Sequence, residues 1–100
     1  MNYADGQVVR LWDRVHVWHS KPAQGVVVAS IDGVEYSLEY RQDQWEHLAS
    51  GVLIETDEAG LMHFPEYAPE IRFVRRGSPL SPAEWEALRH AQASRTAWRV

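Results

Sequence analysis

Carboxylates are the most frequent reactive side chains in this chain of 100 residues, which contains 14 Asp or Glu, 5 His and no Cys. Glu35 with Glu39, and the close group Glu55, Asp57 and Glu58, could supply an acid and base pair. No serine lies in a nucleophile elbow, and the glycines do not form a phosphate loop. Without cysteine there is no thiolate nucleophile and no cysteine-bound metal. The residues therefore predict a protein that is not an enzyme, with no catalytic residues and no cofactor.

The histidines do not predict a metal site. His16 and His19 are three residues apart in a predicted strand, where they point to opposite faces. His47 and His63 have no ligand spacing between them that would indicate a zinc or similar site. We expect polar or core-edge histidines and no bound metal.

Protein binding explains the acidic and aromatic residues more simply than catalysis does. A carboxylate-rich sheet face beside exposed rings suits a basic protein, because charges steer the encounter and buried aromatics hold the complex. Two simpler interpretations stay open, namely that the carboxylates only confer solubility and that Trp45 belongs to the core. The predicted partner-binding residues are Glu35, Glu39, Glu55, Asp57, Glu58, Trp18 and Trp45.

The charge is unevenly distributed along the chain, whose formal net charge is −4. Residues 1–70 contain 4 Lys or Arg and 12 Asp or Glu, whereas residues 71–100 contain 6 Arg and 2 Glu. An acidic body disfavours nucleic acid and membrane phosphates and favours a basic partner. A basic C-terminal face could still contact nucleic acid, although pairing of its arginines with the acidic sheet is the simpler account. These arginines are Arg72, Arg75, Arg76, Arg89, Arg95 and Arg99.

Residues 25–40, GVVVASIDGVEYSLEY, form the clearest hairpin pattern in the chain. A β-branched run precedes Asp32-Gly33, a two-residue turn in which glycine accepts a positive φ. The following residues alternate between apolar and polar, which predicts a strand that buries one face. The apolar positions are Val34, Tyr36, Leu38 and Tyr40, and the opposite, solvated face carries Glu35, Ser37 and Glu39.

The remaining patterns predict a small sheet followed by one helix. Ser81, Pro82 and Glu84 form a capping box that begins a helix over 81–97, whose Trp85 and Leu88 should pack on the sheet. We predict a single domain over 1–100, mainly β, with a small antiparallel SH3-like sheet or barrel of five to six strands over 8–76. The other predicted elements are strands at 8–11, 14–19, 52–56, 61–64 and 71–75, a loop at 20–25 and a short helix within 41–49.

Two groups of residues resemble known families. Trp12-Asp13-Arg14-Val15 followed by Gly25-Val26-Val27 resembles the opening of SH3-like and KOW-type small barrels, with Trp12 in place of the usual glycine. The wider pattern resembles small bacterial immunity proteins of polymorphic or contact-dependent toxins. It consists of Asp32-Gly33-x-x-Tyr36, Trp45-x-x-Leu48, Gly51-Val52-Leu53-Ile54 and Ala59-Gly60-Leu61-Met62-His63.

The second resemblance implies an immunity-type inhibitor that neutralises a basic, nuclease-like bacterial toxin by covering its active cleft with an acidic face. The alternative is a small-barrel adaptor or regulatory module that binds RNA or a larger protein complex. No apolar run approaches the roughly 18 residues that span a membrane, and the N-terminal residues lack the pattern of a signal peptide. Together with the missing cysteines, this predicts a cytoplasmic protein with no membrane contact.

Overall fold

The computed structural model describes residues 1–18 and 22–97, with side chains described as far as residue 93. The fold is mainly β with a C-terminal helix, as the sequence predicts. The strands are β1 (Arg14–Trp18), β2 (Pro22–Ser30), β3 (Glu35–Tyr36), β4 (Val52–Thr56), β5 (Gly60–Phe64) and β6 (Ile71–Arg75). The helices are α1 (Gln42–Trp45), which continues as a 3-10 turn over Glu46–Leu48, and α2 (Pro82–Ala97).

All six strands form one antiparallel sheet. Its order is β5-β4-β2-β1-β6, and β3 pairs with β2 off this path. The nine-residue β2 holds the sheet together because it pairs with β1, β3 and β4. The sheet is open, with β5 and β6 at its two edges.

Both faces of the sheet are covered in its middle, and strand alternation assigns residues to one or the other. On the first face, Val15, Val27 and Ile54 pack with Tyr3 and Val9 from the N-terminal segment. The second face has its own core beneath the two helices. Its buried members are Val26, Val28, Ala29, Tyr40 and Leu53, with Trp12, Tyr36, Trp45, Leu48, Leu80 and Trp85 packed around them.

The second strand of the predicted central hairpin is much shorter than expected. Only Glu35 and Tyr36 pair with β2, opposite Ser30 and Ala29. The predicted buried stripe is wrong, because Val34 is 63% exposed and Leu38 is 89% exposed, whereas Ser37 is buried on the side predicted to be solvated. Tyr36 is half-buried, and only Tyr40 of the four is fully buried.

Competition for the edges of β2 explains this shortening. Strand β4 pairs along one edge of β2, and β1 occupies the other edge from residue 22 to residue 26. The backbone at Trp12 and Asp13 then takes both hydrogen bonds of Val27. Only the last residues of β2 remain for β3, so the chain leaves the sheet after Tyr36 and turns into α1.

Three local predictions need correction or fall outside the described residues. Residues 8–11 do not form a strand, and only a single bridge joins Asn2 to Val8. The predicted loop at 20–25 is shorter, because β2 already begins at Pro22. His19, predicted at the end of the first strand, lies outside the described residues. The strands predicted over 52–56, 61–64 and 71–75 are confirmed.

The predicted capping box at the start of α2 is confirmed. The Glu84 amide donates to Ser81 Oγ (3.2 Å), and the Ser81 amide donates to Glu84 Oε1 (3.0 Å). These hydrogen bonds lower the pKa of Glu84, and Arg14 beside it acts in the same direction. The Trp85 ring meets Trp12 edge-on, with ring centroids 6.5 Å apart. Neither helix, over the residues described, has the length and apolar character needed to cross a membrane.

Candidate functional site

The structure separates the seven predicted partner-binding residues into three places. Glu35 lies opposite Ser30, whereas Asp57 accepts the amide hydrogen of Gln24 at 3.1 Å. Ser30 and Gln24 are six residues apart on β2, a distance of about 20 Å along an extended strand. The carboxylates therefore do not form one continuous face. The first place is β3, α1 and the connection between them, which hold Glu35, Glu39 and Trp45. The second is the other end of β2, near Trp18, Asp57 and Glu58. The third is the interior, where Glu55 lies.

Glu55 is 1% exposed and is bound within the fold. Its carboxylate accepts hydrogen bonds from the Tyr40 hydroxyl, from Arg89 Nη1 at 2.6 Å and from Gln92 Nε2 at 3.0 Å. The Arg89 guanidinium also lies 5.1 Å from the centroid of the Trp85 ring. These contacts, which we call the Glu55 cluster, attach α2 to the sheet, and this carboxylate does not face solvent.

Tyr40 is the titratable partner in the Glu55 cluster. Burial, with a further contribution from the hydrogen bond to Glu55, raises the pKa of Tyr40 from 10.0 to about 12, although Arg89 opposes the shift. The native protein therefore keeps a proton that the unfolded chain loses near pH 10. This proton contributes stability that is fully present below pH 10 and is lost as the pH rises.

We expect the free energy of unfolding to fall as the pH rises from 10 to 12, because more protons are then bound in the native state than in the unfolded state. Burial raises the pKa of Tyr3 as well, which acts in the same direction. Urea unfolding followed by tryptophan fluorescence measures the effect. The Tyr40→Phe variant should show a smaller fall over this window, and a fall equal to that of the wild type would contradict the role given to Tyr40.

Residues 34–46, which comprise β3, α1 and the connection between them, carry a group of exposed carboxylates, and we call them the acidic segment. It contains four carboxylates and one arginine. Glu39, Asp43 and Glu46 are exposed, with Asp43 paired to Arg41 at 2.8 Å. Leu38 lies among these charges with 89% of its surface exposed. Exposed apolar side chains mark a contact surface when several occur together, and Val34, 63% exposed, is a second one in this segment.

Two members of the acidic segment are held by the rest of the fold. Glu35 makes a two-point contact with the Arg10 guanidinium, at 2.9 and 2.8 Å, and this contact lowers the pKa of Glu35. Trp45 is half-buried, with its ring centroid 5.7 Å from that of Tyr40 and 6.3 Å from that of His47. Trp45 therefore joins the second core, and part of its ring remains at the surface.

The other end of β2 carries a different chemistry. Trp18 is 48% exposed, and the Arg72 guanidinium lies 5.9 Å from the centroid of its ring. Asp57 and Glu58 are half-buried in the β4–β5 turn, where Asp57 holds the start of β2 through the Gln24 amide. Trp18 therefore neighbours a cation.

Two of the six C-terminal arginines pair inside the molecule, as the simpler account of the sequence predicts. Arg76 contacts Asp13 at 2.6 Å, and Arg89 contacts Glu55. Arg72 and Arg75 are exposed, and neither forms an ion pair with any residue that the structure describes. The side chains of Arg95 and Arg99 lie outside the described residues.

Asp13 is a buried charge within the Trp12-Asp13-Arg14-Val15 motif, which does not by itself indicate a role for this carboxylate. It is 0% exposed, and its Oδ2 accepts hydrogen bonds from the Tyr3 hydroxyl at 2.7 Å, the Arg10 amide at 2.9 Å and Arg76. Across the described part of the chain, no three His, Cys, Asp or Glu side chains are placed to hold a metal ion. Asp13 thus connects the N-terminal segment to Arg76 through its hydrogen bonds.

The fold and these surfaces define a small, mainly β protein with an open six-stranded sheet and an acidic segment. Its C-terminal helix is joined to the sheet by the ion pair of Arg89 with the buried Glu55. Comparison with known protein families, with curated proteins and with solved structures finds no match. Its function is therefore proposed from its surface chemistry.

Proposed function

We propose that the protein is an immunity-type inhibitor that binds a basic, nuclease-like bacterial toxin through the acidic segment. The observation that supports this most directly is the exposed Leu38, which lines one surface hollow with Asp43 and Glu46 and is followed in the chain by the exposed Glu39. Burial of one apolar side chain at the centre of a charged rim is the common arrangement of a protein interface.

The charge of the acidic segment suits a basic partner. A nuclease must attract phosphate, so the surface around its active cleft carries positive charge. Exposed carboxylates on an inhibitor speed the encounter with such a surface, and the apolar contact slows dissociation. Glu35 contributes less free charge than Glu39 or Glu46, because Arg10 already neutralises it.

Charge reversal in the acidic segment tests this proposal. We expect Glu39→Lys with Glu46→Lys to weaken partner binding by about tenfold or more, chiefly through slower association. The matched control is Glu66→Lys with Glu86→Lys, which makes the same change of net charge at exposed positions elsewhere. Leu38→Ser should weaken binding by about the same amount through faster dissociation, with little effect on stability because Leu38 is 89% exposed.

The measurement has two stages. The tagged wild-type protein captures its partner from a lysate of its source, and the partner is identified by mass spectrometry and purified. Surface plasmon resonance then gives both rate constants for each variant, and a nuclease assay shows whether the wild type inhibits the partner. Equal binding by the segment and control variants would contradict the proposed surface. A partner whose nuclease activity is unaffected by the protein would contradict the inhibitor function.

A further inference from the structure

We infer that a second surface of this protein, on β1 and β6, binds single-stranded nucleic acid. The second face of the sheet is covered by the helices over β2 and β4 but is open over β1 and β6. Arg14, His16 and Trp18 alternate along this side of β1, and His16 lies opposite Arg72 on β6. We call Arg14, His16, Trp18, Arg72, Val74 and Arg75 the cationic face.

Strand alternation places these side chains together. Val15 and Val17 face the first core, opposite Phe73 and Ile71, so the residues between them face the other way. Arg14 lies opposite Arg75, and the next residue, Val15, lies opposite Phe73, so the register of the two strands shifts between Arg14 and Val15. An irregularity of this kind next to a sheet edge turns side chains toward a common region.

The charges of the cationic face are available to an anionic ligand. Arg72 and Arg75 make no ion pair within the described part of the chain, whereas Arg14 is occupied by the carbonyls of Trp12 and Ser78 and by Glu84 at 3.6 Å. Two guanidinium groups are therefore free to meet phosphate oxygens, for which their fork of donors is well suited.

The exposed indole of Trp18 favours an anionic ligand that also carries aromatic bases. Trp18 is 48% exposed, and Val74, toward the other end of the cationic face, is 47% exposed. The Arg72 guanidinium lies near the Trp18 ring, and the exposed part of the indole is available for stacking. An aromatic ring next to arginines on a sheet surface offers a base its π-face and a backbone its phosphate contacts. A duplex is a poor fit, since it hides base faces in the stack and its grooves require an inserted helix or ribbon.

Nearby acidic residues limit where a single-stranded nucleic acid can lie on this surface. Arg14 and Arg75 line the cleft between the sheet and α2, but Glu55, Asp57 and Glu84 line it as well. A phosphate backbone is therefore disfavoured inside the cleft and would meet the exposed Arg75 from outside it. The nucleic acid must instead follow β6, the open edge of the sheet. From Arg72 to Arg75 the distance is about 10 Å along a strand, which gives a short site with two phosphate contacts. The acidic segment lies on a different part of the chain, so the two surfaces can be tested separately.

Fluorescence anisotropy with labelled oligo-dT and oligo-U of about eight nucleotides tests the inference. We expect weak binding, with log affinity falling against log salt concentration at a slope of about −1.4, the value for two contacts to a single strand. Trp18→Ala should lower affinity about fivefold or more. Arg72→Gln with Arg75→Gln should lower affinity and flatten the salt slope. The control Arg10→Gln with Arg41→Gln removes the same net charge from exposed residues elsewhere and should change affinity less than twofold.

Competing ligands and stability measurements complete the test. A labelled duplex and a polyglutamate peptide should bind more weakly than the single strand. Equal binding of polyglutamate, or an unchanged affinity in Trp18→Ala, would overturn the inference in favour of a general anion-binding patch. Absence of wild-type binding at low salt would overturn it outright. Urea unfolding shows whether each variant is folded. Glu39→Lys with Glu46→Lys should not weaken oligonucleotide binding, and the Arg72 and Arg75 variants should still inhibit the toxin, so the two proposals fail independently.

Discussion

The Gly51→Ala variant is expected to lose about 3 to 5 kcal/mol of its free energy of unfolding. Gly51 has a φ of +92°, and a Cβ at this position would lie 1.9 Å from the carbonyl oxygen of Phe64 and 2.6 Å from Pro65 Cα. These neighbours are backbone atoms of the β4–β5 hairpin, where Phe64 pairs with Val52. They cannot move without breaking the end of the sheet ladder.

Gly6 provides the matched control for this substitution. Its φ is +91°, almost identical to that of Gly51, but a Cβ there would meet nothing within 4 Å. Gly6→Ala should therefore show only the cost of the left-handed backbone, about 1 to 2 kcal/mol. Urea unfolding of the three proteins, followed by tryptophan fluorescence, measures both effects. If the two alanine variants lose equal stability, close contact with Phe64 is not the reason for glycine at position 51.

The Arg76→Met variant is expected to lose about 2 to 3 kcal/mol, because it leaves the Asp13 carboxylate buried without its cation. Methionine keeps most of the aliphatic packing of arginine and removes only the charge and its hydrogen bonds. The expected loss is smaller than for a fully buried pair, since 45% of the Arg76 side chain is exposed while only 1% of Asp13 is. Arg76 also donates to the Val8 carbonyl at 2.7 Å, so the variant loosens the N-terminal segment as well.

The adjacent residue supplies the control. Arg75→Met removes the same charge one position earlier, from an exposed side chain with no ion pair among the described residues, and should cost about 0.5 kcal/mol or less. A double-mutant cycle with Asp13→Asn isolates the pair, because the loss caused by Arg76→Met should shrink when Asp13 is already neutral. Equal losses in the Arg75 and Arg76 variants would show that Asp13 does not depend on Arg76.

Most strands and the helix start could be predicted because their patterns are local. The alternation of β1, the apolar run of β4 and the Ser81 to Glu84 capping box each depend on residues within one element. The length of β3 could not be predicted in this way. Its partner edge on β2 is occupied by β1, a strand whose position depends on the whole sheet. The alternating residues 34–40 thus fit a long strand for which the fold has no room.

The candidate surfaces were only partly predictable for a related reason. Glu55 and Glu39 look alike in sequence, yet Glu55 lies on β4, where every residue is buried, and Arg89, 34 residues later, compensates its charge. Glu39 has no such partner among the described residues and stays exposed. The sequence places Arg72 and Arg75 in a possible basic face, but it does not join them to Trp18, which lies on a strand far away in the chain that the sheet brings alongside. Only the pairing of β1 with β6 shows that they share a surface.

The two buried carboxylates also affect the order in which the protein can fold during translation. Asp13 and Glu55 leave the ribosome well before their cations, since Arg76 follows Asp13 by 63 residues and Arg89 follows Glu55 by 34. At about 5 to 20 residues per second, each carboxylate waits on the order of seconds for its arginine. During that interval, formation of either core costs free energy, because it buries a carboxylate that has no cation beside it. The complete fold, with both carboxylates paired, therefore forms only after α2 has been translated.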